Sequence, residues 1–148
     1  MPKIKLLLVS LLLSAITSAQ TTSSKQAIVQ QTIIKLFTAL SNSDTAGLKL
    51  HSTSNVKFYE YGQIWTIDTM IQKMMVMSKA EDFKRINSFE FVNTTINKKI
   101  AWVTYYLQST ITRNNQQEII NWMETVILLK EKNQWKITVL HSTRLVKN

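Results

Sequence analysis

From Phe83 to its end the chain alternates apolar and polar side chains with a period of two, a pattern that commits this half to an antiparallel sheet. The alternation predicts strands over about 83–97, 100–113, 117–131 and 134–146. The separators are Asn97-Lys98-Lys99, Asn114-Asn115 and Lys132-Asn133. Each is short and carries asparagine, which tolerates the left-handed backbone of a tight hairpin, so each reads as a turn. The preceding segment has a different period. Val29, Ile33, Leu36, Phe37 and Leu40 recur at helical spacing over 26–40, with Ser24 as a candidate cap. Ser41-Asn42-Ser43-Asp44 breaks that helix, and Asp44 is placed to cap a short second one to about Leu50. Val56 to Tyr61 reads as a strand ended by Gly62. A third helix is expected from a cap at Asp68 to about Lys79, its methionines serving as core or cavity wall. Helices followed by an antiparallel meander make an α+β arrangement.

Composition removes whole classes of function. There is no cysteine among the 148 residues, hence no disulfide scaffold, thiolate metal cluster or cysteine nucleophile. His51 and His141 are the two histidines, too few for a multi-histidine metal site, and no metal is expected. Gly47 and Gly62 stand alone, so no glycine-rich phosphate cradle exists and no nucleotide cofactor is expected. The N-terminus has its own grammar. Lys3 and Lys5 precede an apolar run from Leu6 to Ile16, and Thr17-Ser18-Ala19 supplies small residues at a cleavage position. This reads as a secretory signal peptide over 1–19, since a membrane span needs about 20 apolar residues. A single exported domain over 20–148 is expected, periplasmic or extracellular, with no membrane attachment after cleavage.

Two-residue turns set the pairing of the last three strands. Turning at Asn114-Asn115 places Tyr105 opposite Glu124, Val103 opposite Val126 and Leu107 opposite Trp122. Turning at Lys132-Asn133 places Glu131 opposite Gln134, Leu128 opposite Ile137, Val126 opposite Val139 and Glu124 opposite His141. One sheet face is then apolar except for a single row, Tyr105–Glu124–His141. A one-residue slip would send a strand's whole set to the other face. A carboxylate on an apolar face is costly unless paired, and imidazole is a natural partner. The row is either a self-satisfied network that specifies register, a polar handle for a ligand, or an acid–base site. In the last case Glu124 or His141 is the base and Tyr105 the donor to a developing oxyanion. The opposite face carries Trp102, Thr104, Tyr106, Met123, Thr125, Ile127, Leu129, Thr138, Leu140 and Ser142. That is apolar enough to predict a homodimer meeting sheet to sheet. Arg144 reads as a rim or interface cation.

Several segments together resemble a known superfamily. The ending Asn133-Gln134-Trp135-Lys136-Ile137-Thr138-Val139-Leu140-His141-Ser142-Thr143 is similar to the last strand of the nuclear transport factor 2-like superfamily, especially its SnoaL-like and DUF4440-like members. Glu124-Thr125-Val126-Ile127-Leu128-Leu129-Lys130, Ala101-Trp102-Val103, and Leu36-Phe37 with Ala39-Leu40 and Asp44 match the same pattern, which spans about 25–146. The resemblance implies a cone-shaped α+β barrel in which three N-terminal helices pack on a strongly curved antiparallel sheet around a pocket, often as a dimer. Members include ketosteroid isomerases, polyketide cyclases and dehydratases beside binding and scaffold domains. The isomerases' two aspartates and tyrosine find no residue-by-residue match here. In such a cone the ligand-binding residues would be Val103, Tyr105, Trp122, Glu124 and His141, with Tyr59, Tyr61 and Trp65 at the mouth.

Two functions follow as expectations. One is an exported domain binding a small apolar ligand with one polar handle. The other is a cofactor-free isomerase, cyclase or dehydratase using Glu124 or His141 as general base. Binding to an anionic polymer is a third option, through the +7 charge that remains when cleavage removes Lys3 and Lys5 from the full chain's +9 (9 − 2 = 7). The lysines, however, are scattered along the chain rather than interleaved with aromatics on one face, so no nucleic-acid partner is expected.

Overall fold

The computed structural model describes residues 24–146; the expected signal peptide over 1–19 lies outside the described residues. Three helices are among them, the third after the first two strands: α1 over 24–41, α2 over Thr45–His51 and α3 over Ile67–Met77. Six strands make the sheet: β1 Ser52–Glu60, β2 Gln63–Trp65, β3 Lys84–Asn97, β4 Ile100–Arg113, β5 Gln116–Glu131 and β6 Gln134–Leu145. Their order is β2-β1-β6-β5-β4-β3, antiparallel throughout except for the parallel β1–β6 pair. The sheet is curved and open, with β2 and β3 as its edges. No described helix is long and apolar enough to cross a membrane.

The helical stripe does what its spacing implies. Val29, Ile33, Leu36, Phe37 and Leu40 are all buried against the inner sheet face, where each contributes about 1.5–3 kcal/mol of burial. Asp44 caps α2 by accepting the Gly47 N–H at 2.9 Å. The cap of α3 is Thr66, whose hydroxyl accepts the Thr69 N–H, rather than Asp68. Asp68 lies inside the first turn, where its charge still favours the helix dipole. Met70 and Met74 enter the core.

The three hairpins of β3 to β6 turn where asparagine and lysine predict. Asn114, Asn115, Lys132 and Asn133 hold φ between 45° and 66°, the paired left-handed geometry of a type I′ turn. Asp82 pins one of these turns by accepting the Asn114 and Asn115 N–H groups at 2.7 Å each. Those bonds to the charged form hold its carboxyl below the usual carboxylate range.

The β4–β5 register is the expected one, with Tyr105 opposite Glu124. The β5–β6 register begins as expected, with Glu131 opposite Gln134 and Leu128 opposite Ile137, and then slips. Thr138 is an extra residue between Ile137 and Val139, so Val126 meets Leu140, Thr125 meets His141 and Glu124 meets Ser142. This bulge corrects the Tyr105–Glu124–His141 row to Tyr105–Glu124–Ser142. It also moves Leu140 and Ser142 off the outer face. The reward is packing: Leu140 is buried beside its β1 neighbour Phe58, while His141 stands exposed beside Tyr59. A second bulge at Val92, between Phe91 and Asn93, bends the β3–β4 pair.

Candidate functional site

Between α1, α3 and the inner sheet face lies a cavity of about 440 Å³, within the size range of small-molecule sites. Its walls are apolar. Phe37 and Leu40 come from α1, Met70, Val76 and Met77 from α3 and its end, and Phe58, Ile111, Ile120, Trp122 and Leu140 from four strands. Tyr61 and Trp65 flank its mouth with ring centroids 6.2 Å apart, and the Lys73 ammonium sits 5.3 Å from the Trp65 ring.

Beside Tyr61 and Lys73, the ionisable side chains Glu60, Arg85 and Glu124 line the same cavity. Glu124 is buried at the centre of the polar row. It accepts the Tyr105 hydroxyl at 2.5 Å on Oε2, and the Ser142 Oγ lies 2.8 Å from Oε1. The same Ser142 Oγ lies 2.8 Å from Glu60 Oε1. Burial pushes the Glu124 carboxyl up to about 7, further than its hydrogen bonds to Tyr105 and Ser142 and the nearby Arg85 charge pull it down. Glu60 is raised for the same first reason, with Ser142 and Arg85 opposing. Tyr105 is fully buried and is held well above the ordinary phenol range, first by burial and then by the Glu124 charge, so it remains a hydrogen-bond donor.

Arg85 is fixed by neutral groups. Its Nε donates to Asn87 Oδ1 at 3.1 Å and its Nη2 to Ser109 Oγ at 3.1 Å. Behind them Ser109 donates to Asn87 Oδ1 at 2.6 Å, and Asn87 donates to Ser41 on α1 at 3.0 Å. The guanidinium carbon lies 5.6 Å from the Phe37 ring centroid and 5.8 Å from that of Trp122, both within cation–π range. Burial lowers its pKa, and the Glu124 and Glu60 charges counteract this. Among the described residues no three His, Cys, Asp or Glu side chains group as metal ligands.

The structure brings together Tyr61, Trp65, Trp122 and Glu124 on the cavity, with Tyr105 behind Glu124. It does not bring in the others. Val103 is fully buried in the core, away from the cavity lining. Tyr59 projects from the outer side of β1, its ring centroid 6.2 Å from that of His141, which the bulge turns away from Glu124. Glu60, Arg85 and Ser142 were not among the expected site residues. Glu60 shares the parity of Val56 and Phe58 on β1, and Arg85 that of Phe89 and Phe91 on β3, so strand alternation carried a signal for both. Ser142 carried none without the bulge.

A SnoaL-like domain matches residues 29–146. The chain belongs to the SnoaL-like domain family. No curated protein matches its sequence. Among solved structures, the SnoaL-like chain is similar to a ketosteroid isomerase-like protein from Erwinia carotovora atroseptica (13% identity, TM-score 0.67, covering 83% of this chain and 98% of the other). It is also similar to an NTF2-like protein from Cytophaga hutchinsonii (15% identity, TM-score 0.65, 80% and 97% covered). A third similar structure is the CaMKII hub homology domain of Chlamydomonas reinhardtii (15% identity, TM-score 0.71, 81% and 98% covered). At these identities the likeness is one of fold, and the SnoaL-like fold hosts different functions.

Proposed function

We propose that this SnoaL-like domain is an exported small-molecule-binding protein whose cavity takes an apolar ligand with an oxygen-bearing polar end. The observation that carries the reading is the coincidence of an apolar cavity of about 440 Å³ with a buried Glu124 and half-buried Arg85 and Glu60 on its lining. Glu124 and Arg85 meet no ion-pair partner within 4 Å among the described residues, where the ion pair is Arg144–Glu118 at the surface. Buried charges without a close partner are expensive to maintain in a merely structural core. The signal-peptide grammar of residues 1–19 supports export. A homodimer is part of the proposal: Trp102, Tyr106, Met123 and Ile127 remain exposed on the outer sheet face, where a second copy would cover them. Light scattering on wild type and Trp102→Glu tests the dimer, which the substitution should dissociate.

The binding test is a thermal-shift screen of uncharged apolar ketones, alcohols and phenols against wild type and Glu124→Gln. Ligands should raise the melting temperature of wild type more than that of the variant. Equal shifts would remove Glu124 from the site, and no shift across the panel would remove the cavity reading.

Cofactor-free proton transfer is the second reading, favoured by one specific observation. A carboxyl on the cavity wall with a pKa of about 7 is matched to accept and return a proton at neutral pH. In that reading Glu124 is the base and Arg85 is positioned for the developing oxyanion. Incorporation of deuterium beside the carbonyl of a bound ketone in heavy water tests it, with Glu124→Gln expected to abolish the exchange.

A further inference from the structure

The polar end of the cavity carries a bond-counting constraint. Ser142 Oγ lies 2.8 Å from a carboxyl oxygen of Glu60 and 2.8 Å from one of Glu124. A serine hydroxyl has one hydrogen to donate. It can satisfy one carboxylate as donor, but the other contact is attractive only if that second carboxyl is itself protonated and donates to the serine oxygen. Two ionised carboxylates around one hydroxyl would leave an unrelieved oxygen–oxygen contact in a site removed from water. Tyr105 donates to Oε2 of Glu124, which leaves Oε1 free to carry the proton, and Glu124, the more deeply buried carboxyl, is its main holder. The chain of donation then runs from Tyr105 to Glu124 to Ser142 to Glu60.

The charges around this chain are few. Arg85 faces the pair from β3 and Tyr105 from β4, Tyr61 follows Glu60 at the mouth, and Lys73 of α3 sits at the rim over Trp65. One proton shared by two carboxyls leaves the pair with a single negative charge, equal and opposite to Arg85. The bonds that hold Arg85, a residue of the cavity lining, use Nε and Nη2 with neutral acceptors and leave Nη1 uncommitted among the described residues.

We propose that Glu60 and Glu124, bridged by Ser142, hold one proton between them and balance Arg85, so that the cavity takes uncharged apolar molecules with a carbonyl or hydroxyl oxygen and admits a carboxylate only together with a second proton. This rests on the ligand-binding reading above and names its ligand class. The ligand oxygen accepts from Arg85, and the pair stays singly protonated. An aliphatic carboxylate would add a negative charge to a balanced site, and proton uptake is what restores the balance.

Two measurements test it. Carbon-13 NMR of the glutamate carboxyls in ligand-free protein should show one protonated carboxyl at pH 6, coupled to its neighbour as the pH rises. Both carboxyls ionised at pH 6 would overturn the proposal. Calorimetric titration with 2-octanone and with octanoate then reads the selectivity. For wild type, 2-octanone should bind at pH 6 and at pH 8, whereas octanoate should weaken by at least about tenfold over the same interval. The E60Q/E124Q variant leaves Arg85 unopposed and should bind octanoate equally at both pH values. Octanoate binding to wild type with no pH dependence overturns the proposal. If neither probe binds wild type while the NMR shows the retained proton, the ligand-binding reading has failed and the ligand class falls with it, although the shared proton stands.

Discussion

The β4–β5 and β5–β6 hairpins share strand β5 and the same kind of turn, yet they deliver their side chains differently. From Arg113 opposite Gln116 to Ile100 opposite Leu129, β4 and β5 keep one register without a break. Inner positions therefore repeat every second residue: Ala101, Val103, Tyr105 and Leu107 on β4, and Trp122, Glu124, Val126 and Leu128 on β5 are all buried. The β5–β6 pair holds its starting register only to Ile137, and the bulge at Thr138 reassigns everything beyond it. The straight hairpin supplies a phenol to Glu124, and the bulged one supplies a hydroxyl that reaches two carboxyls. Without the slip the same strands would have made a carboxylate–imidazole pair. The bulge is thus a chemical choice as well as a bend in the sheet.

Adding one residue to β6 should break the contrast most severely. A glycine inserted after Val139 would turn Leu140 and Ser142 outward and bring His141 toward Glu124. The loss of Leu140 burial and of a hydrogen bond to a buried carboxyl should cost at least about 3 kcal/mol, read by urea unfolding. Deleting Thr138 keeps Leu140 and Ser142 on the inner face and should cost less than half as much. Equal losses would mean that the faces of β6 do not decide the stability of this site.

The sequence made the straight hairpin legible because Asn114-Asn115 is an unambiguous two-residue turn and the alternation on both sides agrees with it. For β6 the start was equally legible. The slip was not, because Ile137-Thr138-Val139-Leu140 is strand-prone throughout and contains no glycine or proline to mark an extra residue. What decides between Val139 and Leu140 for the core is a contact with Phe58 on β1. That pairing is parallel and joins residues far apart in the chain, and local pattern carries no trace of it. Strand parity turns Glu60 and Arg85 inward, but their meeting with Glu124 is long-range and has no local trace. Glu60 sat between two tyrosines that drew attention to the mouth, and Arg85 followed Lys84 as one of two adjacent surface-like charges. The helix stripe, by contrast, needed only its own spacing.

Next in size is the pH dependence that Glu124 confers. Its folded pKa of about 7 lies above the ordinary 4.5, so between these values the folded protein holds a proton the unfolded chain has released. Stability is therefore greatest below about pH 4.5 as far as this group is concerned, falls as pH rises through about 7, and is flat beyond. The full swing is about 3 kcal/mol. Glu60, also raised, adds in the same sense. His51 acts in the opposite sense, because burial and Lys35 lower its pKa and it costs stability as pH falls. Urea unfolding at pH 5 and pH 8 should show the wild type more stable at pH 5 and Glu124→Gln nearly level. A wild type more stable at pH 8 would contradict the assignment.

Removing the phenol from the straight hairpin is a smaller perturbation. Tyr105→Phe keeps the ring among Phe37, Phe89 and Phe91 but takes one donor from a buried carboxyl. The expected cost at pH 8 is about 2 kcal/mol, with Glu124 titrating above its present value because the ionised form has lost a partner. At pH 5, where the carboxyl is protonated, the cost should shrink. An equal cost at both pH values would assign the loss to packing rather than to the bond.

The two neighbours on β6 give the finest discrimination. Ser142→Ala removes the group that joins Glu60 to Glu124, and should cost about 1 kcal/mol while uncoupling the two titrations. His141→Ala removes a larger and more ionisable side chain one position away. It stands on the exposed face beside Tyr59, so its loss should change stability by less than about 0.5 kcal/mol and leave the Glu124 titration where it was. If instead His141→Ala moves the Glu124 titration and Ser142→Ala does not, the strand is in the unbulged register in solution. The imidazole, not the hydroxyl, would then complete the site.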